Sequence, residues 1–346
     1  PPRFLQCDPR WGSTEMGVKG KGEQSTICGE GCAMSSLSMA LNGLGLWIND
    51  TQVNPGVLNS WLQANQGYVC DAGDCNNLVL DAPERIPGTP LALVGENPKP
   101  SVADLVDLTK SASDVVIAHV RNSSHFVLFT DGDVATETFT VLDPFYNVTT
   151  YEYSDVSDII HYSIEVTEGT LTYPTFKQCN PKWGKNVMGA NGDTICEVGC
   201  LMSSISEALN GHNISVDGAP ADPATVNHFL RITPGGYDNS SDLDESIIPK
   251  IDPSRVVWPS DGMHRDNDLS LEEVAQYLGI GSQSKNTSPR VVIANVLHGG
   301  HFVLVHGLGG KNQTSDITSV LVHDSGFDRG MYSYSEVVGW RIFDMK

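Results

Sequence analysis

Two stretches of the chain, each built around a Gly-Cys pair, decide how the rest of the sequence is organised. Residues 26–36 read TICGEGCAMSS, and residues 194–204 read TICEVGCLMSS. Working outward, residues 4–12 (FLQCDPRWG) match residues 176–184 (FKQCNPKWG). Two matches of this length in the same order indicate an internal repeat, which has to be recognised before any fold is assigned.

The match continues toward the end of each copy. Residues 116–128 contain VIAHV followed by HFVL, and residues 292–304 contain VIANV followed by HFVL. The offset between copies is 172 at the first match (176 against 4), 168 at the cysteines (194 against 26) and 176 here (292 against 116). Matches in one order with a drifting offset indicate a tandem duplication with loop insertions. We therefore predict two domains, 1–172 and 173–346.

Within each copy the pattern changes from helical to β. After Gly31 apolar residues recur at helical spacing until Asn42-Gly43, and the second copy repeats this from Gly199 to Asn210-Gly211. Runs rich in β-branched residues follow, with a turn expected at 131–133. The predicted strands are 115–120, 126–130 and 139–142 in the first copy and 291–296, 302–306 and 319–322 in the second. Each copy is predicted to be an α+β domain, an N-terminal helix packed on an antiparallel sheet.

Cys32 and Cys200 come at the first turn of the two predicted helices. Aligned peptide dipoles there favour the thiolate form, which is the nucleophile. Each copy has three matching cysteines, so one is left over if the others pair within the copy; burial or a disulfide is the alternative fate of any one of them. The pairs that this count favours are Cys7–Cys28, Cys179–Cys196 and, in the first copy only, Cys70–Cys75.

A histidine and an aspartate occupy strand ends that should be neighbours. His125 opens one predicted strand and Asp143 closes the next, and His301 and Asp324 hold the same places in the second copy. In an antiparallel hairpin the start of one strand lies beside the end of the other. A carboxylate there can fix the imidazole tautomer. A core histidine bonded to a surface carboxylate is the alternative, and the duplication together with the cysteine favours catalysis.

Gln6 and Gln178 complete the candidate set. A side-chain amide near the thiol, together with the backbone N–H of the cysteine, would form an oxyanion hole. A glutamine in an N-terminal segment carries no such meaning by itself.

The order of Gln, Cys at a helix start, His and Asp resembles that of papain-like cysteine peptidases. The chain is closer to their bacteriocin-leader-processing relatives, the peptidase C-thirty-nine-like group, in which Gln-X-Asp-Pro-X-Trp-Gly precedes a Gly-Cys helix. The resemblance implies Cys as nucleophile, His as general base and acid, Asp as orienting group and Gln as oxyanion donor. The matching residues are Gln6, Asp8, Pro9, Trp11, Gly12, Gly31, Cys32, His125, Asp143 and Pro144 in the first copy and Gln178, Trp183, Gly199, Cys200, His301 and Asp324 in the second. The chain departs from the group at Ala33-Met34 and Leu201-Met202, where Gly-Pro is usual, and at Ser325 after Asp324.

Charge and composition narrow the class of partner. Lys and Arg number 21 against 42 Asp and Glu, so the formal charge is −21, which disfavours nucleic acid and anionic membranes. No apolar run approaches the ~20 residues of a membrane span. We expect a peptide or protein substrate, no membrane insertion and no cofactor. An acidic cluster at 238–245 could bind calcium, but we interpret it as a solvated loop. The pair His298 and His301 could bind a metal ion, but we interpret His301 as catalytic.

Seven Asn-X-Ser/Thr sequons are about twice the number that chance gives. With the even cysteine count they predict a glycosylated secreted or lysosomal protein of a eukaryotic secretory pathway, although Asn- and Ser-rich loops can also produce sequons by accident. The candidate glycosylation sites are Asn49, Asn122, Asn147, Asn213, Asn239, Asn286 and Asn312.

Three functions are compatible with these observations. The first is a cysteine peptidase with two catalytic domains that acts through a thioester. The second is a structural or binding extracellular glycoprotein built from duplicated peptidase-like domains, for which self-assembly would be a natural partner interaction. The third passes the acyl group to an amine or thiol and is thus a transferase. Gln, Cys, His and Asp in both copies favour the peptidase.

Overall fold

A computed structural model describes residues 1–22, 25–238, 241–280, 288–310 and 317–346. The candidate glycosylation sites Asn239, Asn286 and Asn312 lie outside the described residues. The chain divides into two compact units, Pro1–Val166 and Thr167–Gly309 with Ile317–Lys346. The predicted limits of the two copies, 1–172 and 173–346, refer to the repeat in the sequence and stay a prediction.

The first unit begins with short elements and ends in a sheet. Its helices are α1 (Ile27–Glu30), α2 (Cys32–Gly43), α3 (Pro55–Ala64) and α4 (Val102–Lys110). Its strands are β1 (Glu15–Met16), β2 (Ser25–Thr26), β3 (Trp47–Ile48), β4 (Thr51–Gln52), β5 (Tyr68–Asp71), β6 (Asp74–Leu78), β7 (Leu91–Pro98), β8 (Asp114–Val120), β9 (His125–Asp133), β10 (Thr138–Leu142), β11 (Thr150–Glu152) and β12 (Asp158–Ile164).

The sheet of the first unit has the order β11-β10-β9-β8-β12-β7 with antiparallel pairing throughout. Helix α2 is buried along most of its length, including Met34, Leu37 and Leu41. Burial of this apolar stripe is the main source of stability for a helix of twelve residues, which would be marginal alone. Ser36 on α2 donates to the backbone carbonyl of Phe126 in β9 (3.2 Å), so the helix start is fixed beside the start of that strand.

The second unit repeats this design. Its helices are α5 (Ile195–Val198), α6 (Cys200–Gly211), α7 (Pro223–Ile232) and α8 (Leu271–Tyr277). The strands from the unit boundary onward are β13 (Val166–Glu168), β14 (Ser215–Val216), β15 (Ala219–Pro220), β16 (Val256–Val257), β17 (Met263–His264), β18 (Val291–Val296), β19 (His301–Gly310), β20 (Ile317–His323), β21 (Met331–Ser333) and β22 (Gly339–Met345).

In the part of the chain that the structure describes, six strands of this sheet have the order β16-β22-β18-β19-β20-β21, which is the order of the first sheet read from its β7 edge. Two further short strands belong to the sheet, since β13 pairs with β19 and β17 with β22. The edge strand differs, because β7 has eight residues and β16 has two. Each unit is thus a mixed α+β structure with an antiparallel sheet, as the sequence predicts at this coarse level. Among the described residues, no helix is both long enough and apolar enough to cross a membrane.

The hairpin turn after β9 is later than the sequence suggests. The prediction of a turn at 131–133 is wrong, because β9 continues through these residues and pairs Gly132 with Phe139 of β10. A Cβ atom at Gly132 would lie 2.8 Å from the Phe139 ring, so the glycine allows this close pairing. The turn falls at 134–137, where the Asp133 carboxylate accepts two backbone N–H groups. Strand β19 also extends beyond its predicted end.

One buried carboxyl group distinguishes α6 from α2. Glu207 is fully buried at the position that Met39 holds in the first unit. Its Oε1 accepts the backbone N–H of Phe176 at 2.6 Å, and its Oε2 has no partner among the described residues. Burial raises the pKa of Glu207 well above its ordinary value, and the nearby Asp324 carboxylate acts in the same direction.

We predict that Glu207→Met raises the free energy of unfolding of the second unit relative to wild type, and that this gain is larger at pH 8 than at pH 5. A carboxyl whose folded pKa is raised contributes stability below its ordinary pKa and loses it as the pH rises toward the folded value. The variant lacks this loss, so the gain at pH 8 should be about 1–3 kcal/mol. Hydrogen–deuterium exchange of α6 peptides, corrected for intrinsic pH dependence, measures it.

The matched control is Glu272→Met, which changes an exposed carboxylate on α8. It should leave α6 exchange unchanged at both pH values. An equal effect of Glu207→Met at pH 5 and pH 8 would contradict a raised pKa.

Candidate active site

The cysteines divide into three disulfides and two free thiols among the described residues. The free thiols are Cys32 and Cys200, both partly exposed. Three disulfides are typical of a protein that folds in an oxidising compartment. The bonded pairs are Cys7–Cys28, Cys70–Cys75 and Cys179–Cys196, which are the pairs that the cysteine count favoured.

The first unit brings its free thiol to a histidine. Cys32 is the first residue of α2, and its thiol lies close enough to the His125 ring to raise the pKa of that histidine. His125 is the first residue of β9 and is 5% exposed. The other side of the ring is occupied, because Nε2 lies 2.9 Å from Asp143 Oδ1. The ring nitrogen left for the thiol is therefore Nδ1.

Asp143 is fully buried directly after β10 and accepts four hydrogen bonds. Its Oδ1 accepts the backbone N–H groups of Phe145 and Tyr146, both at 2.8 Å, in addition to the imidazole. Its Oδ2 accepts the Tyr151 hydroxyl at 2.9 Å. A buried carboxylate with this many donors stays ionised and fixed in place.

The charges of His125 and Asp143 depend on each other. Burial disfavours protonated His125, but the hydrogen bonds with Asp143 and Cys32 outweigh burial and raise the pKa of His125 to about 9. Burial also disfavours ionised Asp143, yet the hydrogen bonds from His125 and the two backbone N–H groups lower the pKa of this carboxyl. The site therefore favours an imidazolium next to a carboxylate at neutral pH.

Gln6 lies beside the helix start, with its amide directed inward. It is 3% exposed, and its Nε2 donates to the Cys28 carbonyl at 2.8 Å, which uses one of its two amide hydrogens. Its backbone N–H donates to the Pro144 carbonyl at 2.7 Å, so the segment is attached to the residue after Asp143. The disulfide from Cys7 to Cys28 links the same segment to the turn before Cys32.

The Trp-Gly part of the motif holds the segment that carries the glutamine. Trp11 donates its Nε1–H to the Leu5 carbonyl at 2.9 Å. Gly12 is close-packed, because a Cβ there would lie 3.0 Å from the backbone of Cys7 and Asp8. The Gly12 carbonyl accepts the Cys28 N–H at 2.9 Å. The contacts of Trp11 and Gly12 thus hold the segment that carries Gln6.

The second unit repeats each of these contacts. His301 Nε2 lies 2.7 Å from Asp324 Oδ1, and the Cys200 thiol lies close to the same ring. Hydrogen bonds with Asp324 and Cys200 outweigh burial and raise the pKa of His301 to about 9. Gln178 donates to the Cys196 carbonyl at 2.7 Å, and its backbone N–H donates to Ser325.

A cleft of about 880 Å³ opens over this second set. Gln178, Cys200 and His301 line it, as do Glu245 and Arg341, which form a buried ion pair. The exposed Phe327 also lines the cleft, and the centre of its ring lies 5.1 Å from the centre of the His301 ring. This volume is in the range of ligand-binding clefts in proteins.

Each set also contains a tyrosine that the sequence motifs do not single out. Tyr332 donates its hydroxyl to Asp324 Oδ2 at 2.7 Å, as Tyr151 does to Asp143. Each tyrosine comes eight residues after its aspartate, in the matching stretches 150–154 (TYEYS) and 331–335 (MYSYS). The equal spacing in both copies could therefore have identified the tyrosines. A single tyrosine in a short strand is otherwise indistinguishable from an ordinary core residue.

The weaker candidates have other roles. Asp244 caps a 3-10 helix and Glu245 pairs with Arg341, and the described residues contain no cluster of His, Cys, Asp or Glu suited to a metal ion. His298 is exposed in the loop before β19. The described sequon asparagines are all exposed: Asn49, Asn122, Asn147 and Asn213.

We predict that Asp143→Asn slows alkylation of Cys32 by iodoacetamide by about tenfold or more at pH 7, because the carboxylate that favours the imidazolium is lost. The pKa of His125, which is raised to about 9 with Asp143 in place, should fall in the variant. Peptide mapping of both cysteines measures the rates. Cys200 is the internal control, since its partner is Asp324; an equal effect on Cys200 would contradict the assignment.

Comparison with protein-family models finds no match, and comparisons with curated proteins and with solved structures also find none.

Proposed function

We propose that the chain is a cysteine peptidase with two papain-like catalytic units, made in the secretory pathway and either secreted or delivered to the lysosome. One observation carries the proposal. Gln, Cys, His and Asp come from four separate places in the sequence. In both units the Asp is hydrogen-bonded to the His, the Cys lies beside the His, and the Gln amide is hydrogen-bonded to the backbone carbonyl four residues before the Cys.

The first step would be attack by the Cys32 sulfur on the carbonyl carbon of a substrate peptide bond. The first residue of a helix has a backbone N–H without an intrahelical acceptor. That N–H and the remaining amide hydrogen of Gln6 would stabilise the negative oxygen that forms. The His125 imidazolium would then give its proton to the leaving nitrogen, and the C–N bond would break to leave a thioester.

The second step would be hydrolysis of this thioester. Neutral His125 would take a proton from water as the water oxygen attacks the carbonyl carbon. The same oxyanion donors would act again, and the sulfur would leave as the thiolate while His125 keeps the proton, which restores the starting pair. Asp143 would keep the ring oriented through both steps and stay ionised itself.

Each set of residues lies within one unit, so the two sites should act independently. We predict that Cys32→Ala removes only the turnover of the first unit and Cys200→Ala only that of the second. Loss of a covalent nucleophile costs about 10⁴–10⁶ in rate. Turnover of a peptide library by both single variants and by the double variant measures this.

The double variant is the control for other sources of hydrolysis and should be inactive. If either single variant is fully inactive while its remaining thiol still reacts with iodoacetamide, the sites are not independent. A wild-type protein that cleaves no peptide and whose two thiols are unreactive would favour the structural glycoprotein instead.

We also predict that Gln6→Ala, placed in the Cys200→Ala background, lowers kcat of the first site by about 10²–10³ with little change in KM, because the lost donor acts on the transition state. The matched control is Gln63→Ala, whose amide donates to the Glu15 carbonyl. Steady-state kinetics on one fluorogenic peptide distinguishes them. A change in KM alone would show that Gln6 binds substrate rather than the oxyanion.

A further inference from the structure

The loop before each histidine has the same unusual backbone. In the first unit three successive residues between β8 and β9 have a positive φ: Arg121 (56°), Asn122 (55°) and Ser123 (58°). Between β18 and β19 the corresponding residues are Leu297 (51°), His298 (56°) and Gly299 (93°). Successive left-handed residues are rare, so the two loops follow the same path.

In the second unit this loop forms a wall of the cleft. Leu297 and Gly299 line the cleft together with Cys200 and His301. His298 lies between the two lining residues and its side chain is exposed. His298 is therefore at the rim of the cleft, because both of its neighbours in the sequence line the cleft.

In the first unit the rim position belongs to Asn122, the acceptor of the sequon Asn122-Ser123-Ser124. Asn122 is exposed, and asparagine tolerates the left-handed backbone better than most residues. One hydrogen bond spans the loop, since the Ser124 hydroxyl donates to the Arg121 carbonyl at 2.7 Å.

Contacts within the first unit place the loop beside the site independently of the repeat. The Arg121 guanidinium lies 3.8 Å from the centre of the Tyr146 ring and donates to the Tyr151 hydroxyl at 2.8 Å. The Tyr146 ring in turn lies 5.1 Å from the His125 ring. Arg121 thus connects the loop to the surroundings of His125, and Asn122 is the next residue of that loop.

We propose that Asn122 carries an N-linked glycan that gates the first cleft by size. A glycan is bulky and hydrated, so at the rim it would exclude protein surfaces and admit small or extended peptides. The second cleft has His298 at this place and would stay open to larger substrates. The division of substrates rests on the proposed function; the gate itself does not.

The modification is the ordinary transfer from a lipid-linked oligosaccharide diphosphate. The Asn122 side-chain nitrogen forms a bond to C1 of the first sugar and loses one proton. The bond from C1 to the diphosphate oxygen breaks, and the lipid diphosphate leaves with the electron pair. No change of oxidation state is involved.

The gate can be measured without catalysis by labelling Cys32 with two thiol reagents of different size. Iodoacetamide should react at the same rate with wild type and with Asn122→Gln, both expressed in secreting eukaryotic cells. A maleimide on a long polyethylene glycol should react about tenfold faster with Asn122→Gln, which corresponds to ~1.4 kcal/mol. Ser124→Thr keeps the sequon and is the matched control, so it should behave as wild type.

The reverse experiment installs the gate on the second unit. His298→Asn combined with Gly300→Ser creates a sequon at the corresponding place, and Gly300 has an ordinary φ of −87° that accepts a side chain. Large-reagent labelling of Cys200 should fall relative to the control pair, His298→Asn combined with Gly300→Ala, which has no sequon.

Glycopeptide mass spectrometry that finds Asn122 unoccupied, or equal large-reagent rates with and without the glycan, would overturn the gate. The same variants in the Cys200→Ala background then test the substrate division: Asn122→Gln should speed cleavage of a protein such as casein and leave a short peptide unchanged. A size effect in labelling with no cleavage of either substrate would keep the gate and reject the peptidase.

Discussion

The hydrogen bond between a buried aspartate and a histidine on the neighbouring strand organises each unit. Asp143 cannot remain ionised inside the protein unless donors surround it, and it obtains them from the imidazole, two backbone N–H groups and a tyrosine hydroxyl. Because one of its oxygens fixes the histidine ring, the opposite ring nitrogen is directed at the thiol. The turn after β10 and strand β11 are thereby part of the site as much as the helix is.

The glutamine segment depends on the same turn. Gln6 and Gln178 are attached by their backbone to the residue after the aspartate and by their side chains to the carbonyl of a disulfide-bonded cysteine. The segment therefore connects the two sides of the site, the sheet and the helix start. Two attachments, one covalent through the cysteine and one through hydrogen bonds, leave the amide little freedom, which is what preorganised stabilisation of an oxyanion requires.

The two units share this frame and differ around it. At the position that follows Pro144, the first unit has the exposed Phe145, whereas the second has Gly326, where a Cβ would lie 2.9 Å from the His301 ring. Glu207 replaces a methionine under the second site, and the rim residue is asparagine in one unit and histidine in the other. Differences confined to the surroundings of a common set are expected when duplicated sites take on different substrates.

The sequence by itself determined the duplication, the α+β class and the residues from which each site is built. It could do so because the Gly-Cys helix starts, the strand-opening histidines and the aspartates keep their order twice, and because strand ends in a hairpin are neighbours by geometry. Only the tertiary structure decided the position of the turn after β9. Gly132 predicts a turn from the local sequence, but in the structure it pairs with Phe139 in the sheet. The tyrosines that support the aspartates and the rim position of Asn122 were also decided there. Those roles depend on contacts between residues distant along the chain, and the local sequence carries no record of which side chain another will meet.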